Sequence, residues 1–495
     1  MSLAQIILIL SWSFHGNLSE KLKLFAKNKT ALIISSIFGL HLVGLLYTSD
    51  WNYGLEDVKK KIPLLLLPLI LSTSQSFSKK TFETILLVFV ASVITASLVC
   101  FFVLLGYSSK QILQPQQASI FISHIRFGLL ISMAIMILGY LFTTKKSVLV
   151  KTTIALLLTW LLLFLIMIES ATGLICTGVV FVLLSFFFIL KTKKVSLKMG
   201  LLVIFILGWV VAIKAFTSIV TNVHHVAPVN KQQLPLLTKN GNIYSHDTIS
   251  HEIENGNYVW LYVCEKELAQ EWNTKSAIDY SGKDLSENEI KYTLIRFLTS
   301  KGYTKDSAGV NRLSEKEIKA IEKGIANVNF IGVFNPTARI QKITWEINSY
   351  MKGGNPSGHS VPQRFEFWKA AVGIIKENYI FGVGTGDVET AFNEHYKKVN
   401  SCLTQKWRLR SHNQFLAMGV AFGVIGMSYF IFSLFFPLFH KQGYRDYFYS
   451  AFFIIAFLSM LTEDTLETQA GVTFFAFFNS LFLFCREKEK VQTVF

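Results

Sequence analysis

Long apolar runs separated by short polar links dominate the pattern of the chain. Nine of these runs are long enough to cross a bilayer whose hydrocarbon core is about 30 Å thick. They lie near residues 31–47, 82–107, 126–143, 149–168, 172–190, 198–216, 414–438, 447–462 and 471–485. Two further runs are shorter or interrupted, since 3–14 makes half a span and 62–73 carries Pro63 and Pro68. A broken helix is tolerated where neighbouring helices or water satisfy its backbone, so we predict about eleven crossings.

The lysine-rich links support this count. They lie at 21–29, 79–80, 145–146, 191–198, 441–445 and 486–490, and two apolar runs separate each link from the next. Basic loops stay in the cytoplasm, so residues 217–413 are predicted to lie outside it. The run 3–14 would then begin outside. This predicts either a helix upstream of Met1, which would make twelve, or a first run that only lies in the membrane interface.

The prediction is an all-α polytopic membrane protein with a large loop on its outer side. Four segments follow from the runs: N-terminal membrane helices (1–216), a loop subdomain (217–361), a polar segment with an amphipathic helix (362–413) and C-terminal membrane helices (414–495). In the loop, a strand-like alternation and then a helical pattern occupy 257–272. Ser314 followed by Glu317 is a capping box, and isoleucines at 318, 321 and 325 share one helical face. We therefore expect a small α/β subdomain there.

Composition narrows the class of protein. Of 495 residues, 51% are hydrophobic and only 16% are charged, and this excess of apolar surface is typical of lipid-facing helices. The net charge of +16 is explained by lysines and arginines in the loops of a membrane protein, where they set the orientation and lie near lipid headgroups. No nucleic-acid partner is therefore expected. The five cysteines form no metal-binding spacing and therefore argue against a zinc or iron–sulfur site. Cys264 and Cys402 share the outer side, where a disulfide and two free thiols are both compatible with the sequence.

The segment 362–413 and its flanks carry the candidate chemistry. Arg364 precedes a turn with three glycines in FGVGTGD, and Arg408, Arg410, His412 and Asn413 come just before an apolar run. Arginine suits bidentate binding of phosphate, and the glycine turn could aim amides at an anion. Asn413 could hold one ring nitrogen of His412 and leave the other as a base. The alternative is a connector whose arginines touch lipid phosphates.

Two more clusters are predicted at the same membrane surface. His124 and Arg126 begin a span in SHIRFGLL, and Glu463, Asp464 and Glu467 lie at a helix end in TEDTLETQ. Arg126 is either a second phosphate-binding cation or an interfacial anchor. Carboxylates at membrane level are costly unless they face a cavity or a partner. The three acids could therefore orient acceptor sugars or pair with the arginines, or they could simply lie in a solvated loop.

The stretches QRFEFWKAAVGIIKEN with FGVGTGD, and SHNQFLAMGVAFGVIG, resemble the signature region of the O-antigen ligase and O-antigen polymerase family, in its Bacteroidetes-type form. The resemblance implies a GT-C-like enzyme of the bacterial inner membrane with its large loop in the periplasm. The activity implied is transfer of a glycan from undecaprenyl diphosphate to lipid A–core, with no metal and no other cofactor expected. Direct attack from the face opposite the diphosphate predicts that the transfer is inverting. A polymerase would instead join two carrier-linked repeat units.

The resemblance also implies roles for single residues. Arg364 corresponds to the family arginine that holds the diphosphate, and His412 to the histidine that activates the acceptor. The family carries another arginine in a turn that here reads Glu169-Ser170-Ala171-Thr172-Gly173, so Arg126 is the candidate replacement. Two other classes stay open. A flippase for lipid-linked glycans would be expected to show internal repeats, and a non-catalytic scaffold would not need the arginine and histidine together.

Overall fold

Most of the apolar runs become helices, because a backbone in lipid must satisfy its hydrogen bonds internally. The computed structural model describes residues 3–108, 112–224, 229–230, 233–249, 252–331 and 338–486. It divides into two compact units, one formed by 1–105, 118–198 and 356–495 and the other by 106–117 and 199–355. Helix α10 (Val195–His224) begins in the first unit and continues in the second.

The first unit contains fourteen further helices among the described residues. They are α1 (Leu3–Phe14), α2 (Leu18–Lys27), α3 (Lys29–Gly44), α4 (Trp51–Lys61), α5 (Pro63–Thr73), α6 (Lys79–Leu104), α7 (His124–Thr144), α8 (Val148–Met167), α9 (Ala171–Lys191), α16 (Ser360–Glu377), α17 (Val388–Lys398), α18 (Gln414–His440), α19 (Tyr447–Thr462) and α20 (Gln469–Phe484). Polar residues begin several of them. Ser78, Ser123 and Asp446, for example, accept hydrogen bonds from the first-turn amides of α6, α7 and α19.

Five helices of the described chain are long and apolar enough to cross a membrane: Lys29–Tyr47, Lys79–Leu104, His124–Thr144, Val148–Met167 and Gln414–His440. Shorter apolar helices occupy Leu3–Phe14, Ala171–Phe186, Val195–Val211, Tyr447–Thr462 and Gln469–Phe484. This is the helix content of a multi-pass membrane protein. The apolar runs of the sequence coincide with these helices and with α5, which contains Pro68. The number of crossings and their orientation stay predictions.

The glycine turn after α16 packs against the end of α3 and does not present its amides as an anion site. Val383 and Gly384 donate their N–H groups to the carbonyls of Val420 and Ala421, and Gly386 N donates to Thr48 Oγ1. These N–H groups, which the sequence suggested as donors to an anion, are therefore already engaged in hydrogen bonds within the protein. The contact of the turn with α18 is close because α18 is broken at Gly423.

Gly423 makes that break sterically feasible. Its φ is +62°, and a Cβ there would stand 2.2 Å from the Ile380 carbonyl oxygen. Only glycine avoids both the strained φ and this clash. Close approach therefore links α18 to the turn, and the turn to α3, where Thr385 Oγ1 donates to the His41 carbonyl at 2.7 Å. The same packing holds the first half of α18, which begins two residues after His412.

The second unit has its own hydrophobic core. Its described elements are β1 (Ile253–Glu254), β2 (Asn257–Tyr258), α11 (Glu265–Lys275), α12 (Ile290–Ser300), α13 (Ser307–Asn311), α14 (Glu315–Glu322) and α15 (Ala338–Met351). Strands β1 and β2 pair antiparallel as a two-stranded sheet, and the fully buried Trp272 and Phe297 belong to the core. The capping box of Ser314 and Glu317 is confirmed, although α14 ends before Ile325.

These described residues make the loop chiefly helical, with one small sheet. The cysteines of the described chain are all free thiols, Cys264 buried and Cys402 exposed. The disulfide alternative is therefore not adopted in this structure.

Candidate active site

A buried carboxylate, Glu463, lies at the centre of the candidate site. It follows α19 directly, and its side chain is only 1% exposed. One oxygen, Oε1, accepts from Arg364 Nη2 at 2.5 Å, and the other, Oε2, lies 3.2 Å from His412 Nδ1. Arg364, predicted to bind the leaving group, and His412, predicted to act as the base, thus share one carboxylate.

Helix α16 supplies Arg364 in its first turn. Besides Glu463, the guanidinium donates to two carbonyls, from Nε to Thr462 at 3.2 Å and from Nη1 to Ser360 at 2.8 Å. These bonds use three of its five N–H groups. The side chain is 23% exposed, so the head is anchored on one side and open on the other. That arrangement is suited to an anionic ligand.

Arg126 reaches the same carboxylates from the start of α7. Its Nη1 is 3.8 Å from Glu463 Oε2, and its Nη2 is 3.6 Å from Asp464 Oδ1. Both separations exceed hydrogen-bond length, so the guanidinium faces the acids without being tied to them. Arg126 is therefore a second guanidinium beside these acids, and its role as replacement for the arginine missing from the 169–173 turn stays a prediction.

That turn has a packing role of its own. Ser170 is fully buried and its Oγ donates to the His124 carbonyl at 3.3 Å. A Cβ on Gly128 or on Gly173 would lie about 3 Å from the other glycine's Cα, so α7 and α9 approach closely beside Arg126. His124 takes part here through its backbone, as the first residue of α7.

His412 is held in a strained conformation. Its φ of +46° lies in the left-handed region, which costs a non-glycine residue of order 1 kcal/mol or more and is typical of functional sites. Since an ionised carboxylate can only accept, the bond to Glu463 requires the proton on Nδ1 and leaves Nε2 as the acceptor. The ring also lies 5.5 Å from that of Phe367, one turn beyond Arg364 on α16.

Asn413 has a different role from the one predicted. Its Oδ1 caps α18 by accepting from Leu416 N at 3.0 Å, and its Nδ2 donates to the Leu461 carbonyl at 2.8 Å. Both ends of this amide are engaged with backbone, and Glu463 partners the imidazole in its place. Arg408 is also directed elsewhere, donating to the carbonyls of Leu403 and Ser401. It shapes the loop before α18 and does not join the acid cluster.

A second, deeper ion network adjoins the site. Arg410 Nη2 pairs with Glu467 at 2.9 Å, and its Nη1 donates to the Tyr53 hydroxyl at 2.7 Å. Glu467 in turn accepts from Lys61 Nζ at 2.8 Å, and Lys61 donates to Asp57 at 2.6 Å. Lys61 is completely buried. His41 Nδ1, on α3, lies 3.4 Å from Asp57 Oδ2. Sequence reasoning missed Lys61, Asp57, Tyr53 and His41 as members of this network.

The pKa values of the two adjacent acids at the centre, Glu463 and Asp464, are shifted in opposite directions. Burial would raise the pKa of Glu463, but the hydrogen bond from His412 and the charges of His412, Arg364 and Arg126 outweigh it and hold the pKa below its usual value. For Asp464, burial prevails over the attraction of Arg410 and His412, and the neighbouring carboxylates add to it, so its pKa is raised. Glu463 thus holds its negative charge more firmly than Asp464 does.

Three side chains of the site could ligate a cation, but the positive charges beside them disfavour one. One ligand atom each from His412, Glu463 and Asp464 lies within 4.8 Å of the others. A divalent ion would, however, meet Arg364 and Arg126, which already neutralise these carboxylates. The arrangement is better suited to an anion beside the arginines, with the acids as internal counter-ions.

Residues 324–431 match the O-antigen ligase family. The resemblance drawn from the sequence is thereby confirmed for a segment that includes Arg364, Arg410 and His412. Three members of the cluster lie outside the matched residues, namely Arg126, Glu463 and Asp464. The fold brings them beside Arg364 and His412. The match supports an enzyme of the O-antigen ligase and polymerase class, acting in a membrane on lipid-linked glycans. A search of curated proteins found no match.

Proposed function

We propose that this protein transfers a glycan from undecaprenyl diphosphate to a hydroxyl of lipid A–core. The observation that carries the proposal is the convergence of Arg364, Arg126 and His412 on the buried Glu463, with Arg364 and His412 inside the segment matched to the ligase family. The proposal also rests on the predicted orientation, in which the basic links lie in the cytoplasm and this end of the bundle faces the periplasm.

The two arginines suit the leaving group. When the bond between the sugar carbon and the diphosphate oxygen breaks, its electron pair stays on the diphosphate. Preorganised cations stabilise that charge most effectively in a site of low dielectric. Arg364 offers a half-open planar fork, and Arg126 faces the same acids at 3.6–3.8 Å without a hydrogen bond to them. Both heads are therefore positioned to bind phosphate oxygens.

His412 suits the role of general base. Glu463 fixes the proton on Nδ1, so Nε2 can take the proton of the acceptor hydroxyl as the new carbon–oxygen bond forms. Such a base contributes about 10²–10⁴-fold to the rate. The acceptor attacks from the face opposite the diphosphate, which inverts the anomeric centre in one displacement. Charge on the leaving group is met by guanidinium groups, so this mechanism requires no metal.

Complementation tests the proposal. The wild-type chain and Arg364→Ala are expressed in a strain lacking its own copy, and the surface glycolipids are separated by gel electrophoresis. We expect polymer on lipid A–core only with the wild type, and Arg364→Lys should also fail because an ammonium cannot bind in bidentate fashion. Arg445→Ala, which removes an arginine bonded to Gln442 away from the cluster, is the matched control.

Each other outcome points to a different function. If the strain that carries Arg364→Ala makes no polymer and shows single repeat units on the core, the protein is a polymerase. Normal polymer with Arg364→Ala would remove the proposed phosphate site. Loss of carrier-linked glycan from the outer leaflet, with no transfer by the purified protein, would favour a flippase.

A further inference from the structure

Glu463 competes for the guanidinium to which the proposed donor's diphosphate would bind. Its Oε1 accepts from Arg364 Nη2, one of the nitrogens through which this arginine could bind a phosphate in bidentate fashion. Carboxylate and phosphate oxygens compete for the same guanidinium N–H groups. The side chain is 1% exposed, so it cannot simply turn out into solvent when an anion arrives. Its other partner within hydrogen-bond reach is His412.

We propose that Glu463 couples donor binding to activation of the base: the diphosphate takes Arg364 from Glu463, and the carboxylate then closes on His412. The inference rests on the proposed function, because it assigns the diphosphate to Arg364 and the proton transfer to His412. It adds a positioning residue and an order of events. Glu463 touches neither substrate and acts through the two residues that do.

The two distances at Glu463 carry the inference. A charge-assisted N–H···O bond is usually 2.7–2.9 Å long. Oε1 makes a close hydrogen bond with Arg364 Nη2, whereas the distance from Oε2 to His412 Nδ1 is 3.2 Å and exceeds that range. The carboxylate therefore holds the guanidinium more closely than the imidazole. Loss of the arginine contact would allow the imidazole bond to shorten by a few tenths of an ångström.

A shorter bond would strengthen the base in two ways. The negative charge moves closer to Nδ1–H and stabilises the imidazolium that forms as Nε2 accepts the acceptor's proton. The ring, already strained at its backbone and lying near Phe367, also becomes fixed in a single orientation. The groups facing His412 are Glu463 and Asp464, with Arg364 and Arg126 behind them. Donor binding therefore prepares the base that will use it.

Asp464 does not share this bridging position. Its Oδ1 is 3.9 Å from His412 Nδ1 and 3.6 Å from Arg126 Nη2, both beyond hydrogen-bond length. It is adjacent in sequence, similarly buried and also acidic. Asp464→Asn is accordingly the matched control for Glu463→Gln, since it removes an acid from the same place without removing the bridge.

The test separates binding from turnover in the full chain purified in detergent. Farnesyl diphosphate, which carries the diphosphate without a glycan, is the binding probe. We expect Glu463→Gln to bind it about 3- to 30-fold more tightly than the wild type, because a competing anion has been removed. At saturating donor, the same variant should turn over about 10- to 100-fold more slowly, since an amide holds the imidazolium less well.

Opposite changes in affinity and turnover are a signature that a merely structural role would not produce. Asp464→Asn should give smaller changes in both. Weaker or unchanged binding of farnesyl diphosphate by Glu463→Gln would overturn the coupling. Glu463→Asp keeps the charge but is one methylene too short to touch both partners. It should shift in the same directions by smaller factors, and it serves as the test if the glutamine variant does not fold.

Failure of the coupling can be told apart from failure of the proposed function. If Arg364→Ala binds farnesyl diphosphate as tightly as the wild type, the diphosphate site itself is misassigned. If Arg364→Ala loses binding while Glu463→Gln shows no gain, the site stands and only the exchange of partners is refuted.

Discussion

Replacing Lys61 by methionine should destabilise the first unit severely. Lys61 is completely buried, and its Nζ lies 2.6 Å from Asp57 and 2.8 Å from Glu467. The variant leaves Arg410 as the remaining cation at Glu467 and only His41, 3.4 Å away, at Asp57. Removing one partner of a buried ion pair costs about 3–5 kcal/mol, because the remaining charge is uncompensated.

The assay compares matched lysine variants. Lys145→Met removes an ion pair of similar length, 2.8 Å to Glu83, whose side chains are 39% and 27% exposed. Such a surface pair contributes about 0–1 kcal/mol. Thermal midpoints of the purified variants, followed by fluorescence-detected size exclusion, should therefore fall strongly for Lys61→Met and little for Lys145→Met. Adding Asp57→Asn to Lys61→Met should recover part of the loss.

Equal midpoints for the two lysine variants would refute the reasoning. That result would mean that water or a relaxed backbone reaches Asp57 and Glu467, so that their charges are not buried at all. A loss in Lys61→Met that Asp57→Asn makes worse would show that the lysine acts through packing and not through charge.

Two further predictions concern the turn and the second unit. Gly423→Ala should abolish transfer and lower the thermal midpoint, because its Cβ would stand 2.2 Å from the Ile380 oxygen, whereas Gly39→Ala, with nothing within 4 Å, should have no such effect. Glu267 accepts hydrogen bonds from Thr238, Asn242 and Ser307. Burial raises the pKa of Glu267, but these hydrogen bonds outweigh the effect of burial and lower the pKa from 4.5 to about 2. Its stabilisation is present above about pH 4.5 and is lost as the pH falls toward 2, so hydrogen exchange in α11 should rise over that range in the wild type and vary less with pH in Glu267→Gln.

Helices were predictable because lipid leaves the backbone few alternatives. Each apolar run found in the sequence lies in a helix to within a few residues at its ends, including 62–73 with Pro68. How many of these helices cross the membrane was less accessible. Apolar helices of 10–17 residues occur at both ends of the chain, and this length fits a buried core helix as well as a tilted span. In the described loop, the stretch 257–272, predicted as a strand followed by a helix, contains β2 and most of α11.

The candidate site was only partly visible in the sequence. Arg364 and His412 were found through the family pattern, but the partner of the imidazole was not, because Asn413 is adjacent in sequence while Glu463 is 51 residues away. The glycine turn looked like an anion-binding loop, yet its amides pair with α18 and Thr48. Spacing alone cannot tell a turn that binds a ligand from one that packs tightly.

The deeper network left a signal that could have been used. Asp57 and Lys61 are four residues apart on α4, directly before the apolar run of α5. That spacing places an acid and a base on the same face of a helix. A charged pair at membrane level is costly unless it faces partners inside the bundle. The pair therefore predicts further buried charges, and the fold supplies them as Glu467 and Arg410.

Charge balance explains why such a site needs internal acids. The two networks together contain four permanent cations and four carboxylates: Lys61, Arg126, Arg364 and Arg410 against Asp57, Glu463, Asp464 and Glu467. With neutral imidazoles the cluster carries no net charge, so it is stable without a ligand. A diphosphate would add negative charge to this neutral cluster, so its binding is favoured if a carboxylate gives up its cation or a group takes up a proton. Glu463 is the acid that can change partner, and Asp464, with its raised pKa, is the acid closest to accepting a proton. When His412 gains the acceptor's proton, the positive charge appears beside the leaving diphosphate, where it opposes the charge that the reaction creates.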